Sequence, residues 1–428
     1  MSDTDGLLQE ETYSFNLKNI GEVSARYDVK LVNEVPSDYN EGVIDDKYVK
    51  VGIEINGEEH GPFTLEEANN ILDSGIIYEN ELISYEIRIW LNEDYEEEIL
   101  EMEGYKGFFK VSVEAEQSMQ EKLPTAAEII INKVGTDGIV AEEHPETEQL
   151  GAVTDYRYTG ANPNNYVRFN NELWRIIGVF PTEDASGKIE NRIKIIRDES
   201  IGSYSWDNKA SGTGSSTSNY GSNDWSDSAL QIILNSGAYY NRTTGNCPSA
   251  SNGATKACDF STTGLTEESK SMIGEANWYL GGTSSYTSAS NGLASHWYSY
   301  ERGTDVYSGR PTSFIGEVGL MYPSDYGYAT SGGSTTSREE CLAKELYNWD
   351  SLEDCYSNDW LYDSSSAQWT MAPNSGYSNV VIYVGSTGIV NISDASNTNA
   401  VRPVLALEST VGITGGTGTE SDPYILGI

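Results

Sequence analysis

Histidine is too scarce in this chain to support the common hydrolytic sites. His60 precedes a Gly-Pro pair, His144 lies in an acidic stretch and His296 precedes a tryptophan. None begins an H-E-x-x-H helix, which would place two imidazoles on one face to bind zinc. Three scattered histidines and the lack of a G-x-S-x-G elbow also argue against a Ser-His-Asp triad.

The sequence also lacks the motifs of a nucleotide-binding site. The chain has no G-x-x-x-x-G-K-[ST] loop, and its Gly-rich run at residues 415–419 is followed by Asp422-Pro423 rather than by a helix. Such a run predicts a turn, not a phosphate-binding loop. We therefore expect a protein that is not an enzyme, with no hydrolytic or redox turnover of its own.

The four cysteines form two local pairs in loop-rich sequence. Cys247 and Cys258 are eleven residues apart, and Cys341 and Cys355 are fourteen apart. This spacing predicts two disulfides that close irregular segments, which is typical of exported proteins. The alternative, four thiolates on one zinc ion, normally uses C-x₂₋₄-C knuckles, which are absent.

Carboxylates in two polar loops are candidate calcium ligands, because hard cations bind several oxygen atoms in flexible loops. The candidates are Asp224, Asp227, Asp354 and Asp359. The alternative is that they cap helices and turns. No other cofactor is expected.

Tryptophan is concentrated in the second part of the chain, with Trp90 alone in the first. Aromatic rings in polar loops can stack on sugars or anchor a protein partner. On this basis the candidate ligand contacts are Trp278, Trp297, Tyr298 and Trp360. Packing in the core or under loops is the competing interpretation.

The charge limits the possible partners. The 428 residues carry 66 acidic and 26 basic side chains, a net charge of −40. Such a surface repels phosphate backbones and anionic lipids, so binding to nucleic acid is not expected. No run approaches the ~18 apolar residues of a membrane span, so insertion into a membrane is not expected either.

Charge and composition both change near residue 150, which indicates a domain boundary. Residues 1–150 hold 36 acidic and 10 basic side chains, and the remainder is richer in Ser, Gly, Tyr and Trp. Two-residue alternation in the first part, as at Tyr13, Phe15 and Leu17, predicts an antiparallel sandwich. A capping box at Thr64 and Glu67 predicts one helix over residues 65–72 that ends at Gly75.

A linker with a helix is predicted between the two parts, at residues 121–154. Thr125 and Glu128 form its capping box, and the stretch from Ala141 to Leu150 is expected to be solvated and mobile.

The second part mixes strands with short helices. A hairpin is predicted at residues 166–180, with its turn at Asn170-Asn171. Helices are predicted at 226–235 and 266–273 and after a Thr336–Glu339 cap, and a long stretch from Gly281 to Gly309 shows little periodicity.

The first part resembles the camelysin/TasA-type biofilm-matrix proteins. The resemblance covers about residues 10–118 and rests on the strand pairs at 13–19 and 27–31 and at 85–91 and 109–113. It implies a secreted jelly-roll that assembles into fibres by strand donation. The chain departs from that family in lacking its export signal and amino-terminal strand.

The second part is similar to domains of the C-type-lectin/formylglycine-generating-enzyme fold. The similarity spans about residues 155–410 and is carried by segments 165–169, 174–179 and 401–405. It implies a display domain that binds sugars or receptors. The expected fold is therefore mainly β with few helices: a jelly-roll at 1–120, the linker, a C-type-lectin-like α+β domain at 155–410, and a tail or strand at 411–428.

These expectations favour an acidic surface protein, a head-to-tail homopolymer in a biofilm matrix or surface filament, with a domain for adhesion. Two alternatives stay open: a soluble secreted module that binds glycan or protein, and an enzyme acting through the second domain. The residues after Met1 lack the pattern of a signal peptide. The chain is therefore either cytosolic or a mature or truncated form of an exported precursor, and the cysteines favour an extracellular or cell-surface location.

The filament hypothesis depends on an open sheet edge in the first domain. We expect no paired amino-terminal strand there, so that a strand from another copy can pair with the edge by strand exchange. The alternative is that residues Leu7–Glu11 cover this edge and the protein is a monomer.

Overall fold

Strands dominate the structure and the helices are short, so the expected mainly-β class is confirmed. The computed structural model describes residues 1–9, 11–118, 123–209 and 220–428. They divide into two units, Met1–Leu123 and Pro124–Ile428. None of the helices in these ranges is long and apolar enough to cross a membrane.

The first unit has two antiparallel sheets. Its elements in chain order are α1 (Asp3–Leu7), β1 (Tyr13–Lys18), β2 (Ala25–Asn33), β3 (Val49–Ile55), β4 (Glu58–Thr64), β5 (Ile71–Ile77), β6 (Leu82–Leu91), α2 (Glu96–Leu100) and β7 (Phe109–Gln117), with 3₁₀ turns at Asp46–Tyr48 and Glu93–Tyr95. One sheet has the order β1-β6-β3-β4 and the other the order β5-β2-β7. Only β3 and β4 are neighbours both in sequence and in a sheet, so most connections cross between the sheets.

The two sheets share one apolar core, as strand alternation predicts. Val29 of β2, Ile53 of β3 and Ile87 of β6 are all buried in it. The remaining core side chains also come from both sheets, which places the hydrophobic layer between them.

The helix predicted at residues 65–72 is wrong. The capping box forms, since Thr64 and Glu67 exchange side-chain and backbone hydrogen bonds of 2.9 and 3.1 Å. However, Asn69 and Asn70 adopt positive φ, and the chain turns into β5, where Gly75 pairs with Tyr27. Pairing with β2 therefore outweighs the local helix signal, which is a weak determinant of structure by itself.

The expected lack of a paired amino-terminal strand is also wrong. All six residues of β1 pair with β6 in the same chain. The preceding helix α1 lies against this sheet, because Gly6 approaches Trp90 and Gly52 of β3 approaches Leu7. Helix α1 therefore packs on its own unit.

The second unit has a nine-stranded sheet, a five-stranded sheet and two two-stranded sheets, β14-β15 and β16-β17. Its strands are β8 (Ile139–His144), β9 (Val153–Tyr158), β10 (Tyr166–Phe169), β11 (Glu172–Glu183), β12 (Ile189–Arg197), β13 (Ser203–Ser205), β14 (Thr244–Ala250), β15 (Ala254–Asp259), β16 (Ala276–Tyr279), β17 (Ser313–Gly316), β18 (Val318–Gly319), β19 (Gln368–Pro373), β20 (Val380–Val384), β21 (Val390–Asp394), β22 (Thr398–Ala400), β23 (Val404–Ala406), β24 (Gly412–Gly415) and β25 (Tyr424–Gly427). The large sheet has the order β18-β23-β12-β11-β10-β25-β24, with β9 also on β11 and β8 on β9, and the smaller has the order β13-β22-β19-β20-β21.

Short helices surround these sheets. They are α3 (Ala126–Ile131), α4 (Ala229–Asn235), α5 (Glu267–Lys270), α6 (Ala294–Glu301), α7 (Pro323–Ala329), α8 (Arg338–Leu342) and α9 (Glu353–Ser357), with 3₁₀ turns at Trp225–Asp227 and Leu346–Ser351. The capping box of Thr125 on α3 is confirmed. The cap predicted at Thr336 is displaced by one residue, to Ser337 with Glu340.

Residues 124–154 of the expected linker belong to the second unit, and residues 121–122 lie outside the described residues. Ile130 of α3 and Ile139 of β8 are buried in the core of that unit. Strand β8 pairs with β9 over six residues, and Leu150 is buried. The acidic side chains of this stretch suggested a solvated segment, whereas the alternate positions Ile139 and His144 are buried.

The ends of the second unit also join its large sheet. The expected hairpin is confirmed: β10 pairs with β11, and Asn170 and Asn171 in the turn adopt positive φ. The final strand β25 pairs in parallel with β10, so the carboxy-terminal segment is part of the sheet.

Candidate functional site

The feature of the second unit with the most potential chemistry is a buried group of ionisable side chains, here named the charged cluster. Its members are His144, Asp155, Arg157, Lys194, Glu301, Arg302 and Asp325, and all seven are buried. Charged side chains are almost never buried unless they are paired, because leaving water costs several kcal/mol for each ion.

Five elements supply the cluster. His144 ends β8, and Asp155 and Arg157 occupy alternate positions of β9, so their side chains lie on one face of the sheet. Lys194 comes from β12. Glu301 ends α6, with Arg302 as the next residue, and Asp325 lies in the first turn of α7.

Asp325 is the acceptor for two cations. The Nζ atom of Lys194 lies 2.8 Å from each of its carboxylate oxygens, and Nη1 of Arg157 donates to Oδ1 at 3.0 Å. The backbone N–H of Tyr322 also donates to Oδ2 and so caps α7. Burial acts to raise the pKa of Asp325, but the charges of Lys194 and Arg157 outweigh it and lower that pKa.

Asp155 pairs with Arg157 on the same strand. Nη2 of Arg157 donates to Oδ2 of Asp155 at 2.7 Å, and Nε2 of His144 lies 3.2 Å from the same oxygen. Burial again opposes ionisation, yet Arg157 and His144 lower the pKa of Asp155 to about 2. Burial lowers the pKa of His144, whose ring stacks on Tyr298 at 3.5 Å between centroids.

Glu301 is the one carboxyl group of the charged cluster whose pKa is raised. It accepts a hydrogen bond from the backbone N–H of Ser324 at 2.8 Å and lies 3.1 Å from Nη1 of Arg302. Burial raises its pKa to about 7, although Arg302 and Ser324 act in the opposite direction. The guanidinium of Arg302 covers the ring of Tyr298 at 3.6 Å.

The cluster is close to electrically balanced. It contains three cations and three carboxyl groups, with His144 neutral. A crevice beside it is lined by Lys194, Arg302, Tyr279 and Tyr322 and has a volume of about 40 Å³. A space of that size holds one or two water molecules, not a sugar. The arrangement can hold charge and exchange protons, and its shape does not suit a bulky substrate.

The aromatic residues expected to contact a ligand are in the core instead. Trp278, Trp297, Tyr298 and Trp360 are each at most 5% exposed. The indole N–H of Trp278 donates to the carbonyl of Gly316 at 2.8 Å, and that of Trp360 donates to Tyr158 at 3.0 Å. This corrects the ligand-contact expectation: Trp278 lies on β16 and Trp297 and Tyr298 lie on α6, and all four side chains are buried.

Three of the four candidate calcium ligands, Asp224, Asp354 and Asp359, accept hydrogen bonds from the protein, and Asp227 is exposed. Asp224 accepts from the N–H of Ser226 at 3.1 Å, with Nη1 of Arg310 at 3.6 Å. Partial burial, and then the nearby Asp224, raises the pKa of Asp227. The carboxylate of Asp354 accepts from the N–H groups of Thr335 and Thr336.

Asp359 is fully buried and accepts from the N–H of Leu361 at 2.9 Å. Its burial raises its pKa well above the usual range. Within the described residues, no three His, Cys, Asp or Glu side chains form a group that could hold a metal ion. Asp224, Asp354 and Asp359 therefore act as the alternative interpretation expected, as caps and turn acceptors.

Both predicted disulfides are confirmed. Cys247–Cys258 joins the two strands of the β14–β15 hairpin, and Cys341–Cys355 joins α8 to α9. No free cysteine is present. The pairs close the two irregular segments that the local spacing indicated.

Sequence reasoning missed the charged cluster, although a signal was present. Lys194 interrupts the run Ile193–Ile196 of a buried strand, and Asp155 and Arg157 alternate with Tyr156 and Tyr158 along β9. A charge inside an apolar strand indicates a buried partner. The partners Glu301 and Asp325 come from distant helices, so no local pattern could identify them.

The comparisons with known proteins add no relative: no family model, curated protein or solved structure matches the chain.

Proposed function

We propose that this protein is an extracellular structural subunit that associates with further copies through the edge strands of its first unit. The second unit is then a rigid displayed domain that serves adhesion. The observation that carries this proposal is the difference among the four edge strands of the first unit, β1, β4, β5 and β7.

Two of these edge strands, β4 and β5, have features that discourage pairing with a strand of another chain. Strand β4 contains Pro62, which has no N–H, and its pairing with β3 shifts register near Val51. Strand β5 also has a register shift, and its Asp73 turns inward to accept hydrogen bonds from Tyr27 and Tyr85. Bulges, proline and inward charge are the usual protections of a sheet edge.

The other two edges are regular. Strand β1 pairs with β6, and β7 with β2, without a register shift. On the inner faces, Tyr13 of β1 is 57% exposed and Val113 of β7 is 39% exposed. A strand from another copy would pair with the free backbone groups and cover these apolar side chains. One regular edge on each sheet allows head-to-tail growth, which does not close on itself.

Two further features support an extracellular structural role. The two disulfides are typical of oxidising compartments. The resemblance of the first part to camelysin/TasA-type proteins favours a jelly-roll in a biofilm matrix, and that of the second to C-type-lectin-like domains favours display. The charged cluster is internally paired, so we propose no enzymatic function for it.

The test is the assembly state of the full chain by light scattering and electron microscopy. We expect filaments or oligomers from the wild type. Tyr13→Lys and Val113→Lys each place a charge on the inner face of one regular edge, and we expect each variant alone to be monomeric. Ser14→Lys and Ser112→Lys are the matched controls, because these residues lie on the opposite faces of the same strands and should leave assembly intact.

Mixing the two blocked variants identifies the pairing. If β1 of one copy meets β7 of the next, an equal mixture of Tyr13→Lys and Val113→Lys forms dimers and stops there. If one variant alone still dimerises, the pairing is between like edges. A wild type that stays monomeric at high concentration overturns the proposal and favours a soluble binding module.

A further inference from the structure

Lys194 differs from every other lysine in the described residues, because it alone is buried. It lies on the central strand β12, 131 residues before its partner Asp325. Its Nζ atom is 2.8 Å from both carboxylate oxygens, so the amine nitrogen is held directly beside the carboxyl group. The fold therefore supplies the proximity that a reaction between the two groups would need.

The surroundings shield this pair from bulk solvent, and the crevice beside Lys194 has room for only one or two water molecules. The side chains of Lys194 and Asp325 are 7% and 0% exposed. The ring of Phe180 covers Nζ at 3.9 Å, with that of Tyr322 at 5.2 Å. Burial lowers the pKa of Lys194, which favours the neutral amine that can act as a nucleophile.

We propose that Lys194 and Asp325 condense into an intramolecular amide bond that links β12 to α7. A proton passes from the ammonium to the carboxylate, and the neutral Nζ attacks Cγ of Asp325. The C–N bond forms, a C–O bond breaks, and the oxygen leaves as water with two protons, the one transferred first from the ammonium and a second that Nζ loses on forming the amide. The step needs no oxidant, reductant or further reactant.

Two neighbours assist this chemistry. Nη1 of Arg157, 3.0 Å from Oδ1, and the N–H of Tyr322, 2.9 Å from Oδ2, donate to the oxygens on which negative charge develops during attack. Arg157 also favours the ionised carboxylate, so the neutral pair is the minor form. The bond therefore forms once, slowly, as the folded chain matures, and there is no turnover.

The chain offers a matched control in the first unit. Nζ of Lys50 lies 2.9 and 2.8 Å from the two carboxylate oxygens of Asp3, the same two-oxygen geometry. The side chain of Asp3 is 41% exposed, so water reaches this pair. We expect no bond there, because hydration keeps both groups charged.

The experiment is mass spectrometry of the purified full chain, reduced and denatured, followed by tryptic mapping. The wild type should be lighter than its sequence by one water molecule, and a branched peptide should join Lys194 to Asp325. Lys194→Arg should have the full mass. Asp325→Asn should lose ammonia instead of water, because the leaving group is then nitrogen.

Three outcomes overturn the proposal. They are a wild type of full mass, separate peptides at these two residues, and a branch at Lys50 and Asp3. The measurement on the wild type does not depend on whether a variant folds. It also does not depend on self-association, so either proposal can fail without the other.

Discussion

The two units place their charges in opposite ways. In the first unit the core is apolar, and ion pairs such as Lys30–Glu114 and Lys110–Glu34 lie on the surface. In the second unit, Asp155, Arg157 and their partners are inside. Surface pairs contribute little because water screens them, whereas a buried charge needs its partner. The first unit can therefore tolerate changes of charge that would disrupt the second.

The aromatic residues make this comparison measurable. Eight of the nine tryptophans lie in the second unit, and Trp90 is alone in the first. Tryptophan fluorescence during denaturation thus reports mainly on the second unit. Since two units need not unfold together, their transitions should be analysed separately.

The largest effect is expected when the charged cluster loses one member. Asp155→Ala removes the partner of Arg157 and His144 and leaves a buried guanidinium less compensated, so the free energy of unfolding of the second unit should fall by about 3–5 kcal/mol. Denaturant titration followed by tryptophan fluorescence measures this loss. A loss below about 1 kcal/mol would show that water reaches the cluster.

The next largest effect on stability is expected when a disulfide is removed. The Cys341–Cys355 bond closes a loop of fourteen residues, so replacing both cysteines by serine should destabilise the second unit by about 3 kcal/mol. A reductant on the wild type should have a related effect. The first unit contains no cysteine, and its transition is the internal control: a shift of that transition as well would mean that the two units unfold as one.

The free energy of unfolding of the second unit should depend on pH with an unusual sign. The pKa of Glu301 is raised by burial to about 7, so its protonated form is favoured in the folded chain. Its contribution to stability is fully present below about pH 4.5 and is lost as the pH rises towards 7, by about 2–3 kcal/mol. Glu301→Gln cannot ionise and should flatten this dependence.

Below about pH 6.5, His144 changes the stability of the second unit in the opposite direction to Glu301. Burial lowers its pKa, so its contribution is present above about pH 6.5, where the unfolded imidazole is neutral, and is lost as the pH falls. The difference between wild type and Glu301→Gln, measured at each pH, isolates the glutamate. If this difference does not change between pH 4.5 and 7, Glu301 is ionised throughout.

The smallest effect is expected at the surface of the first unit. The carboxylate of Glu114 lies 2.6 Å from Nζ of Lys30, but its side chain is 65% exposed. Glu114→Ala should therefore change the free energy of unfolding of the first unit by less than about 1 kcal/mol. Circular dichroism during denaturation reports on both units, so the transition of the first unit is the part of its signal that tryptophan fluorescence does not show. A larger loss would contradict the contrast between the two units.

Local signals explain where prediction from the sequence succeeded. The Asn170-Asn171 turn, the Thr125 capping box and both disulfides depend on residues within fifteen positions of each other. At Thr64 an equally clear capping box led to the wrong prediction of a helix. The residues that follow it pair instead with β2, a strand far away in sequence. Whether such a segment forms a strand depends on the distant strand with which it pairs.

The sequence by itself determined the acidic charge, the mainly-β class, the division into two parts and the cysteine pairs, because composition, alternation and short spacing are local properties. The tertiary structure alone decided that Trp278 and Trp360 are buried, that residues 124–154 join the second unit, and that Lys194 meets Asp325. These features depend on which distant surfaces exclude water together, and water exclusion is a property of the packed chain.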